Sequence, residues 1–256
     1  MAHTTQLLAQ LKSLKLSGAA DTLEHRLREG EQNQLSYCEF LAMLLTDEID
    51  TRRNRRLQRL IAGANILAQK TLEAFDFSFN RSINPVQIRE LTTCRFIENA
   101  ENVFFLGPTG TGKTHLAQAL AHAACRKHLT ALFFSFNDFF KMLHTADINN
   151  TLDKLMKKLM KTDLLIIDDF AFKKISQSQA EYFYALVDAR YNTKSAILTS
   201  NRAIADWSAI FPDPVIANAI MDRLAHNAHQ IVIKGESYRK HFSPSKNNMS
   251  ASGAKT

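Results

Sequence analysis

The sequence predicts an α/β fold built on a parallel sheet and preceded by a small all-helical N-terminal domain. From Asn102 onward, short apolar runs alternate with longer helical patterns, as in a parallel sheet with helices on both faces. A glycine-rich pattern, G-x-x-x-x-G-K-[ST], stands between the first apolar run and the first helical pattern. Before about residue 80 the apolar residues keep helical spacing, which predicts helices and no sheet in that part.

Composition and charge narrow the class of protein. The 256 residues fit one large domain, or one domain with a helical appendage. Because no apolar run approaches the ~20 residues of a membrane helix, we expect a soluble, cytoplasmic protein without a membrane partner. The net charge of +7 suits an acidic partner but identifies none. Three widely spaced cysteines are expected to be reduced core thiols: Cys38, Cys94 and Cys125.

The helical N-terminal domain is expected to cover residues 1–80. Leucines at helical spacing predict a short amphipathic helix over Leu7–Leu14 and a second one beyond Gly18. The run Ser36-Tyr-Cys-Glu39 matches a capping box, which predicts the start of a third helix. No glycine or proline interrupts the pattern until Gly63, so this third helix is expected to be long.

The second half of this long helix is rich in arginine. Residues one turn apart on a helix meet successive phosphates of a duplex, so this stripe predicts contact with DNA. The competing interpretation is a solvated helix face that is partly neutralised by Glu48, four residues before the first arginine. The candidate DNA-binding residues are Arg52, Arg53, Arg55, Arg56 and Arg59.

Residues 81–242 are expected to form the nucleotide-binding domain, and the polar residues 243–256 a disordered tail. The segment that leads into this domain is hard to interpret: its alternating phenylalanines suggest a short extended piece, and Pro85 suggests a helix start. Further along, a helix with a lysine-rich outer face is expected to cover the sheet, with DNA contact as the alternative. The predicted strands are Val103–Leu106, Ala131–Phe136, Leu164–Asp168, Ala196–Ser200 and Gln230–Ile233.

The glycine-rich pattern predicts a phosphate cradle. Glycines allow the backbone to turn its N–H groups toward a polyphosphate at the positive end of a helix. Lys113 is expected to reach the β- and γ-phosphates of ATP, and the Thr114 hydroxyl to bind Mg²⁺. The alternative is a glycine-rich turn that matches by chance. The candidate nucleotide-binding residues are Gly107, Pro108, Thr109, Gly110, Thr111, Gly112, Lys113, Thr114 and His115.

Polar residues at the ends of two predicted strands complete this candidate site. Carboxylates at the carboxyl edge of a parallel sheet face the ligand crevice, so Asp168 is a candidate Mg²⁺ ligand and Asp169 a candidate base that positions water. Asn201 follows the fourth strand and is a candidate partner of the γ-phosphate or the attacking water. The competing interpretations are helix-capping acids and an ordinary turn asparagine.

The order of these motifs resembles that of an AAA+ ATPase. More narrowly, the chain from about Leu7 to Phe242 is similar to the IstB family of insertion-sequence transposition helper ATPases and to the related DnaC-type helicase loaders. The opening Leu11-Lys-Ser-Leu-Lys-Leu-Ser-Gly18 favours IstB, and the run Leu164-Leu-Ile-Ile-Asp-Asp-Phe170 is shared. The resemblance implies an ATPase that uses ATP and Mg²⁺, forms homo-oligomers on duplex DNA and assists a transposase encoded by the same element.

The resemblance also implies roles for two arginines. Arg223 matches the arginine that such ATPases supply to a neighbouring subunit's ATP, and Arg239 matches the second sensor arginine; surface or structural roles are the alternative. Asp169 departs from the usual glutamate and is one methylene shorter, so hydrolysis is expected to be slow. Gly235 to Phe242, after the last predicted strand, would form only about two helical turns, so a full helical lid is not expected.

Three other functions are compatible with these residues. A helicase loader would share every ATPase residue and differ in its partner. A small-molecule P-loop kinase is disfavoured by the arginine-rich helix and by the strand ending in Thr-Ser-Asn201. A DNA-binding module with a vestigial ATP site would not need Lys113. No recombinase constellation is visible, so the DNA-cutting partner is expected to be a separate protein.

Overall fold

The computed structural model describes residues 2–238, which form two compact units divided between Arg59 and Leu60. The sequence predicts this boundary near residue 80. Residues 60–80 group with the second unit because their backbone is tied to it; for example, Phe133 N donates to Ala64 O at 2.8 Å. Arg239 and the predicted tail, residues 243–256, lie outside the described residues.

The first unit is helical, as the leucine pattern predicts. It consists of α1 (Ala2–Ser13), α2 (Ser17–Gln32) and the first part of α3 (Tyr37–Gly63). Its core is small: Leu23 of α2 and Leu44 of α3 are buried and are surrounded by partly buried leucines. The capping box is present, because Ser36 N donates to Glu39 Oε2 at 2.8 Å and Glu39 N donates to Ser36 Oγ at 3.3 Å. α3 ends at Gly63, where the sequence predicts it to end.

The second unit alternates strands and helices. Its elements in chain order are α4 (Pro85–Leu91), α5 (Arg95–Glu98), β1 (Asn102–Leu106), α6 (Lys113–Arg126), β2 (Ala131–Ser135), α7 (Phe136–Ile148), α8 (Leu152–Lys161), β3 (Leu164–Asp168), α9 (Gln177–Arg190), β4 (Ser195–Ser200), a 3-10 helix (Ile204–Ile210), α10 (Pro214–Ala225) and β5 (Ala228–Val232).

The five strands form one parallel sheet in the order β2-β3-β4-β1-β5. Strands β3 and β4 are buried along their whole length, and β1 is buried from Val103 to Leu106, as expected for central strands covered on both faces. All strands run the same way, so Leu106, Asp168 and Ser200 end at one edge of the sheet. The predicted α/β class is confirmed, and this edge is where a ligand crevice is expected.

Aromatic residues fill the larger part of the core between the sheet and helices α7, α9 and α10. Phe136, Phe140, Phe170 and Phe183 contact one another at ring-centroid distances of 4.7 to 5.8 Å. Helix α8 packs its apolar face on this cluster, with Leu159 fully buried. The lysines of α8 are exposed, as the sequence predicts for a helix that covers the sheet: Lys154, Lys157, Lys158 and Lys161.

Two local expectations differ from the structure. The segment with alternating phenylalanines forms turns between residues 72 and 79 and no extended strand, because local hydrogen bonds close those turns: Phe75 N donates to Leu72 O at 3.1 Å and Ser78 N donates to Asp76 Oδ1 at 2.8 Å. Cys94 and Cys125 are buried, but Cys38 is exposed because it lies on the outer face of α3. Within residues 2–238, no helix is both long and apolar enough to span a membrane.

Candidate nucleotide-binding site

The glycine-rich loop connects β1 to α6 at the carboxyl edge of the sheet. Gly107 has φ = 146°, and a Cβ there would lie 2.0 Å from the Ile233 carbonyl oxygen. Gly112 has φ = 101°, and a Cβ there would lie 2.8 Å from the Phe75 ring. Both positions therefore require glycine, because a side chain would meet a neighbour as well as an unfavourable backbone conformation. The loop ends at the N-terminus of α6, where free N–H groups favour a bound phosphate.

Lys113 is buried at the start of α6 and holds the loop closed. Its Nζ donates to the carbonyl oxygens of Gly107 and Pro108, both at 2.7 Å. Thr111 closes the turn from the other side, because its Oγ1 donates to Pro108 O at 2.9 Å. A buried ammonium group needs acceptors, and here carbonyl groups supply them. Phosphate oxygens are stronger acceptors for the same group, so Lys113 can exchange one set of partners for the other.

Thr114 and Asp168 form an oxygen-rich pair beside the loop. The Thr114 hydroxyl lies 2.9 and 3.0 Å from the two Asp168 carboxylate oxygens, and Thr199 on the neighbouring strand donates to Asp168 Oδ1 at 2.5 Å. Among the described residues there is no cluster of three or more His, Cys, Asp and Glu side chains that suits a metal. Two protein oxygens suit Mg²⁺, which commonly keeps several waters and binds through one carboxylate and substrate phosphates.

The electrostatics of Asp168 also suit a cation. Burial raises the pKa of Asp168 above its ordinary value, and the neighbouring Asp169 charge acts in the same direction. Hydrogen bonds from Thr199 and Thr114 oppose that rise. An ionised carboxylate in this position is therefore costly, and a bound cation would offset the cost.

Asp169 and Asn201 lie at the same edge of the sheet and are exposed. Asp169 has φ = 54°, and its N–H donates to Thr199 Oγ1 at 3.0 Å, so Thr199 holds both acidic residues. Asp169 lines the cavity beside the loop, whereas Asn201 is not among the described residues that line it. Thr199 was not singled out from the sequence, because its position next to β3 depends on the strand order.

The loop and Asp168 line a cavity of about 510 Å³, which is large enough for a nucleotide. Seven of its eighteen lining residues come from a segment that precedes β1 and to which the sequence assigns no function. This cavity, the nucleotide cavity, extends from the phosphate-binding loop to the segment before β1 and to Tyr238 at the end of the described chain. The lining residues of the segment are Leu67, Lys70, Ala74, Phe75, Asp76, Phe79 and Asn80.

Three polar side chains on one face of α6 hold this segment in place. His115 Nε2 lies 2.7 Å from Thr71 O, Gln118 Oε1 accepts from Leu67 N at 2.9 Å, and His122 Nε2 lies 2.9 Å from Leu67 O. Positions 115, 118 and 122 share one helix face. Polar residues repeated on one face of an otherwise buried helix are the sequence signal that indicates this attachment.

His115 also contacts the aromatic part of the segment. Its ring meets the Phe75 ring edge-on at 5.2 Å. Burial lowers the pKa of His115 below its ordinary value, although the hydrogen bond with Thr71 opposes that change. His115 is therefore a neutral structural residue at neutral pH, and it contributes to the cavity by positioning Phe75.

The far end of the cavity is closed by a contact between the segment and the chain after β5. Asn80 Nδ2 donates to Lys234 O at 2.8 Å, and Lys234 N donates to Ser82 Oγ at 2.9 Å. Phe79 and Tyr238 meet edge-on at 4.9 Å, and Tyr238 N donates to Gly110 O at 2.9 Å. This contact joins the aromatic wall directly to the backbone of the phosphate-binding loop.

Arg223 lies outside the nucleotide cavity, on α10. Its Nε donates to Asp188 Oδ1 at 2.9 Å, and its guanidinium lies 5.3 Å from the centre of the Tyr184 ring. Within one chain Arg223 is therefore engaged on the outer surface of α9, and it is not brought to the phosphate-binding loop. Arg239 lies beyond the described residues.

The arginines of α3 divide into two groups. Arg52 Nε donates to Glu48 Oε1 at 2.6 Å and its NH2 donates to Lys15 O at 3.2 Å, while Arg55 donates to Ser17 Oγ. These two arginines therefore anchor the turn between α1 and α2. The other three lie away from that turn: Arg53 lies 3.7 Å from Asp50 Oδ1, Arg59 Nε donates to Arg55 O at 3.3 Å, and Arg56 lies between them; all five arginines are exposed.

Glu48 explains why this anchor is present. Its carboxylate is buried and accepts from Gly18 N at 2.6 Å and from Ala19 N at 3.2 Å, which caps the start of α2. Burial opposes the ionisation of Glu48, but hydrogen bonds from Arg52 and from these amides hold its pKa below the ordinary value. The predicted pairing of Glu48 with Arg52 is present within α3, and Glu48 also connects α3 to the start of α2.

Comparison with known proteins agrees with this architecture. Residues 9–246 match the family model described as "IstB-like ATP binding protein". The "Insertion sequence IS232 putative ATP-binding protein" of Bacillus thuringiensis subsp. berliner is 39% identical over 240 residues, covering 93% of this chain and 96% of the relative.

Solved structures of two other proteins share the fold. The crystal structure of the DnaC helicase loader aligns with a TM-score of 0.53 at 24% identity, covering 65% of this chain and 98% of that one. The crystal structure of DnaI aligns with a TM-score of 0.56 at 18% identity, covering 66% and 95%. The phosphate-binding loop, the strand-end acids and the match over nearly the whole sequence lead to one conclusion: this chain belongs to the family of IstB-like ATP-binding proteins, with a P-loop AAA+ fold.

Proposed function

We propose that this protein is an ATPase that assembles as a homo-oligomer on duplex DNA and assists the transposase encoded by the same insertion sequence. One observation carries the proposal: Lys113, Thr114 and Asp168 converge on a single nucleotide-sized cavity at the carboxyl edge of the sheet. The family and the insertion-sequence name of the 39% identical relative support the genetic context.

The two ends of the cavity suit the two ends of ATP. The phosphate-binding loop takes the triphosphate, with Lys113 moving its hydrogen bonds from carbonyl oxygens to phosphate oxygens. The base lies against the aromatic wall of Phe75, Phe79 and Tyr238, whose rings offer the flat apolar surface that a purine needs. Asp76 and Asn80 provide polar groups on the same wall.

Hydrolysis requires few protein groups. Thr114 and Asp168 would hold Mg²⁺, which neutralises phosphate charge when it is bound. Asp169 orients the attacking water, and Thr199 keeps both carboxylates at the edge of the sheet. Asn201, which follows the neighbouring strand outside the cavity lining, is assigned to the γ-phosphate or the attacking water of a bound nucleotide. Arg223 lies outside the cavity of its own chain and is assigned to the ATP of an adjacent subunit, the role that the family resemblance implies, so hydrolysis is expected to depend on assembly.

DNA binding is assigned to arginines of α3, all five of which are exposed. Arg53, Arg56 and Arg59 recur at every third position and alternate with Arg52 and Arg55, the two arginines that anchor the start of α2. Neutralising successive phosphates releases counterions, which makes the affinity strongly salt-dependent. The lysines of α8 form a second basic surface. They lie on the exposed face of a helix whose apolar face covers the sheet, and this position is sufficient to explain them.

The proposal is tested by measuring ATP hydrolysis with and without duplex DNA, in the wild type and in Lys113→Ala. We expect hydrolysis that DNA accelerates and that Lys113→Ala abolishes. Hydrolysis that is indifferent to DNA would contradict the DNA-dependent part. If Lys113→Ala supports transposition at the wild-type level, the ATP site is vestigial.

A helicase loader is the second candidate, because the DnaC helicase loader shares the fold over 65% of this chain. It would use the same ATPase residues and a different partner. Pull-down of the cognate transposase and of a replicative helicase by the full chain separates the two. We expect the transposase to be retained and the helicase to be lost at moderate salt.

A further inference from the structure

Ser200 is a fully buried residue at the end of β4, and its side chain joins three parts of the chain. Its Oγ donates to Phe170 O at 2.7 Å and accepts from Arg202 N at 3.1 Å. It also accepts from Trp207 Nε1 at 3.2 Å. A hydroxyl has one proton and two lone pairs, so these three bonds use its whole hydrogen-bonding capacity. The direction of each bond is fixed, because a carbonyl oxygen only accepts and an amide or indole N–H only donates.

Two of these partners directly follow candidate catalytic residues. Phe170 is the residue after Asp169, which is assigned to the attacking water. Arg202 is the residue after Asn201, which follows the neighbouring strand at the same edge of the sheet. The Ser200 hydroxyl therefore ties the backbone after Asp169 to the turn that contains Asn201.

The backbone around Asp169 is held on β4 by three hydrogen bonds. Asp169 N donates to Thr199 Oγ1 at 3.0 Å, and Phe170 N donates to Thr199 O at 2.7 Å. The bond from Ser200 to Phe170 O is the third. Asp169 has φ = 54°, a conformation that residues with a Cβ adopt rarely and keep where the surrounding structure enforces it. The Ser200 hydroxyl is therefore part of what holds Asp169 in this conformation.

Trp207 fixes the hydroxyl from the side of the core. Its side chain is fully buried, and its ring lies 5.1 Å from the Phe104 ring and 4.8 Å from the Phe170 ring. A buried indole N–H needs an acceptor, and Ser200 Oγ supplies it. Because the indole N–H occupies one lone pair of the hydroxyl, the hydroxyl proton stays directed at Phe170 O. A buried network in which every member is satisfied is rigid.

We propose that Ser200 is a positioning residue for ATP hydrolysis, which keeps Asp169 and Asn201 directed at the same attacking water. This role rests on the proposed function, in which these two side chains act in hydrolysis. Ser200 itself is fully buried and is not among the described residues that line the nucleotide cavity. Its loss is therefore expected to slow hydrolysis and to leave ATP affinity unchanged, since a shift of ~1 Å in a catalytic group costs about a hundredfold in rate.

The test compares Ser200→Ala with Ser195→Ala in the full chain with duplex DNA. Ser195 is a matched control, because it is fully buried at the other end of β4 and its Oγ donates to Phe96 O at 3.0 Å. Both variants lose buried hydrogen bonds, so both are expected to melt at a lower temperature than the wild type. Only Ser200→Ala is expected to lower kcat, by about a hundredfold, with the Kd for ATP unchanged. Ser200→Cys, whose thiol is a weaker donor, should also slow hydrolysis.

The indole N–H resonance of Trp207, the only tryptophan of the chain, reports the contact in the absence of nucleotide. Ser200→Ala removes the acceptor of this N–H and is expected to move the resonance, whereas Ser195→Ala should leave it in place. An unmoved resonance in Ser200→Ala would show that the hydrogen bond is absent, and this overturns the proposal.

Asp169→Asn separates the role of Ser200 from the proposed function. If Asp169→Asn loses hydrolysis and both Ser200 variants keep it, the role of Ser200 is wrong and the proposed function stands. If Ser195→Ala loses as much kcat as Ser200→Ala, or if Ser200→Ala loses ATP affinity, Ser200 acts only on the fold and the proposal is wrong. Hydrolysis at the wild-type rate in Asp169→Asn would contradict the proposed function, and the role of Ser200 would fail with it even though the Trp207 resonance moves.

Discussion

At the scale of single residues, Thr199 shows how much of the site depends on a side chain that does no chemistry. It donates to Asp168, accepts from the Asp169 amide and is fully buried in β4. Both acidic residues therefore take their positions from one hydroxyl. The acids and the P-loop lysine are predictable from sequence because each is fixed by local motif spacing, whereas Thr199 depends on which strand lies beside β3.

Asp168→Asn should separate stability from activity. Since the pKa of Asp168 is raised by burial, the folded state binds its proton more tightly than the unfolded state does, and stability falls as pH rises from about 4 through the folded pKa. An asparagine at position 168 does not titrate, so Asp168→Asn does not lose stability in this way. We expect its melting temperature without nucleotide to exceed that of the wild type at neutral pH, with a smaller difference in acid, while hydrolysis falls at least about a hundredfold.

Thermal melts of both proteins across that pH range, with Asp21→Asn as an exposed control, make the comparison. An identical pH profile in wild type and Asp168→Asn would show that Asp168 does not titrate as its burial implies.

The arginines of α3 should separate into anchoring and DNA-binding residues. Arg56→Gln with Arg59→Gln is expected to lower the slope of log affinity against log salt by about 2, or 0.9 per lost phosphate contact. Arg52→Gln is expected to cost about 1 kcal/mol of stability, because the hydrogen bond to buried Glu48 is lost. DNA titrations at several salt concentrations and thermal melts report the two effects. An unchanged slope in the double variant would show that α3 does not contact DNA phosphates.

At the scale of elements, the segment before β1 is the part of the site that sequence reasoning missed. Its turns have no periodicity, and its position is set by α6 through Gln118 and two histidines. The five strands, by contrast, were predictable because buried parallel strands appear as continuous apolar runs. The predicted domain boundary near residue 80 lies too late in the chain, because no local pattern in residues 60–80 shows that they pack on the sheet domain.

This segment should recognise the base and leave the phosphates to the loop. Phe79→Ala is expected to weaken ATP binding about tenfold, because one aromatic contact of ~1.4 kcal/mol is lost, and to leave the affinity for inorganic triphosphate unchanged. Lys113→Ala is expected to lose both ligands. Calorimetric titration of the wild type and both variants with ATP and with inorganic triphosphate measures these affinities. Equal loss of the two ligands in Phe79→Ala would mean that the aromatic wall acts only on the folding of the loop.

At the scale of the whole molecule, the proposed role of Arg223 is to reach from the surface of one subunit to the ATP of a neighbouring subunit. Arg223→Ala should keep ATP affinity and lower DNA-stimulated hydrolysis about a thousandfold, the usual effect of an arginine supplied in trans. Asp188→Ala is the matched control, because it removes the internal partner of Arg223 and leaves the arginine free to reach a neighbour. Its hydrolysis should equal or exceed that of the wild type. A fully active Arg223→Ala variant would assign this arginine a structural role on α9.

In the proposed function, nucleotide bound at the P-loop governs how the protein occupies duplex DNA. The most direct test measures the affinity for one duplex and the size of the complex, in ATP with Mg²⁺, in ADP and without nucleotide, for wild type and Lys113→Ala. We predict that wild-type protein forms larger and tighter complexes in ATP than in ADP, and that Lys113→Ala shows no difference. Identical DNA binding by the wild type in all three conditions would contradict the account.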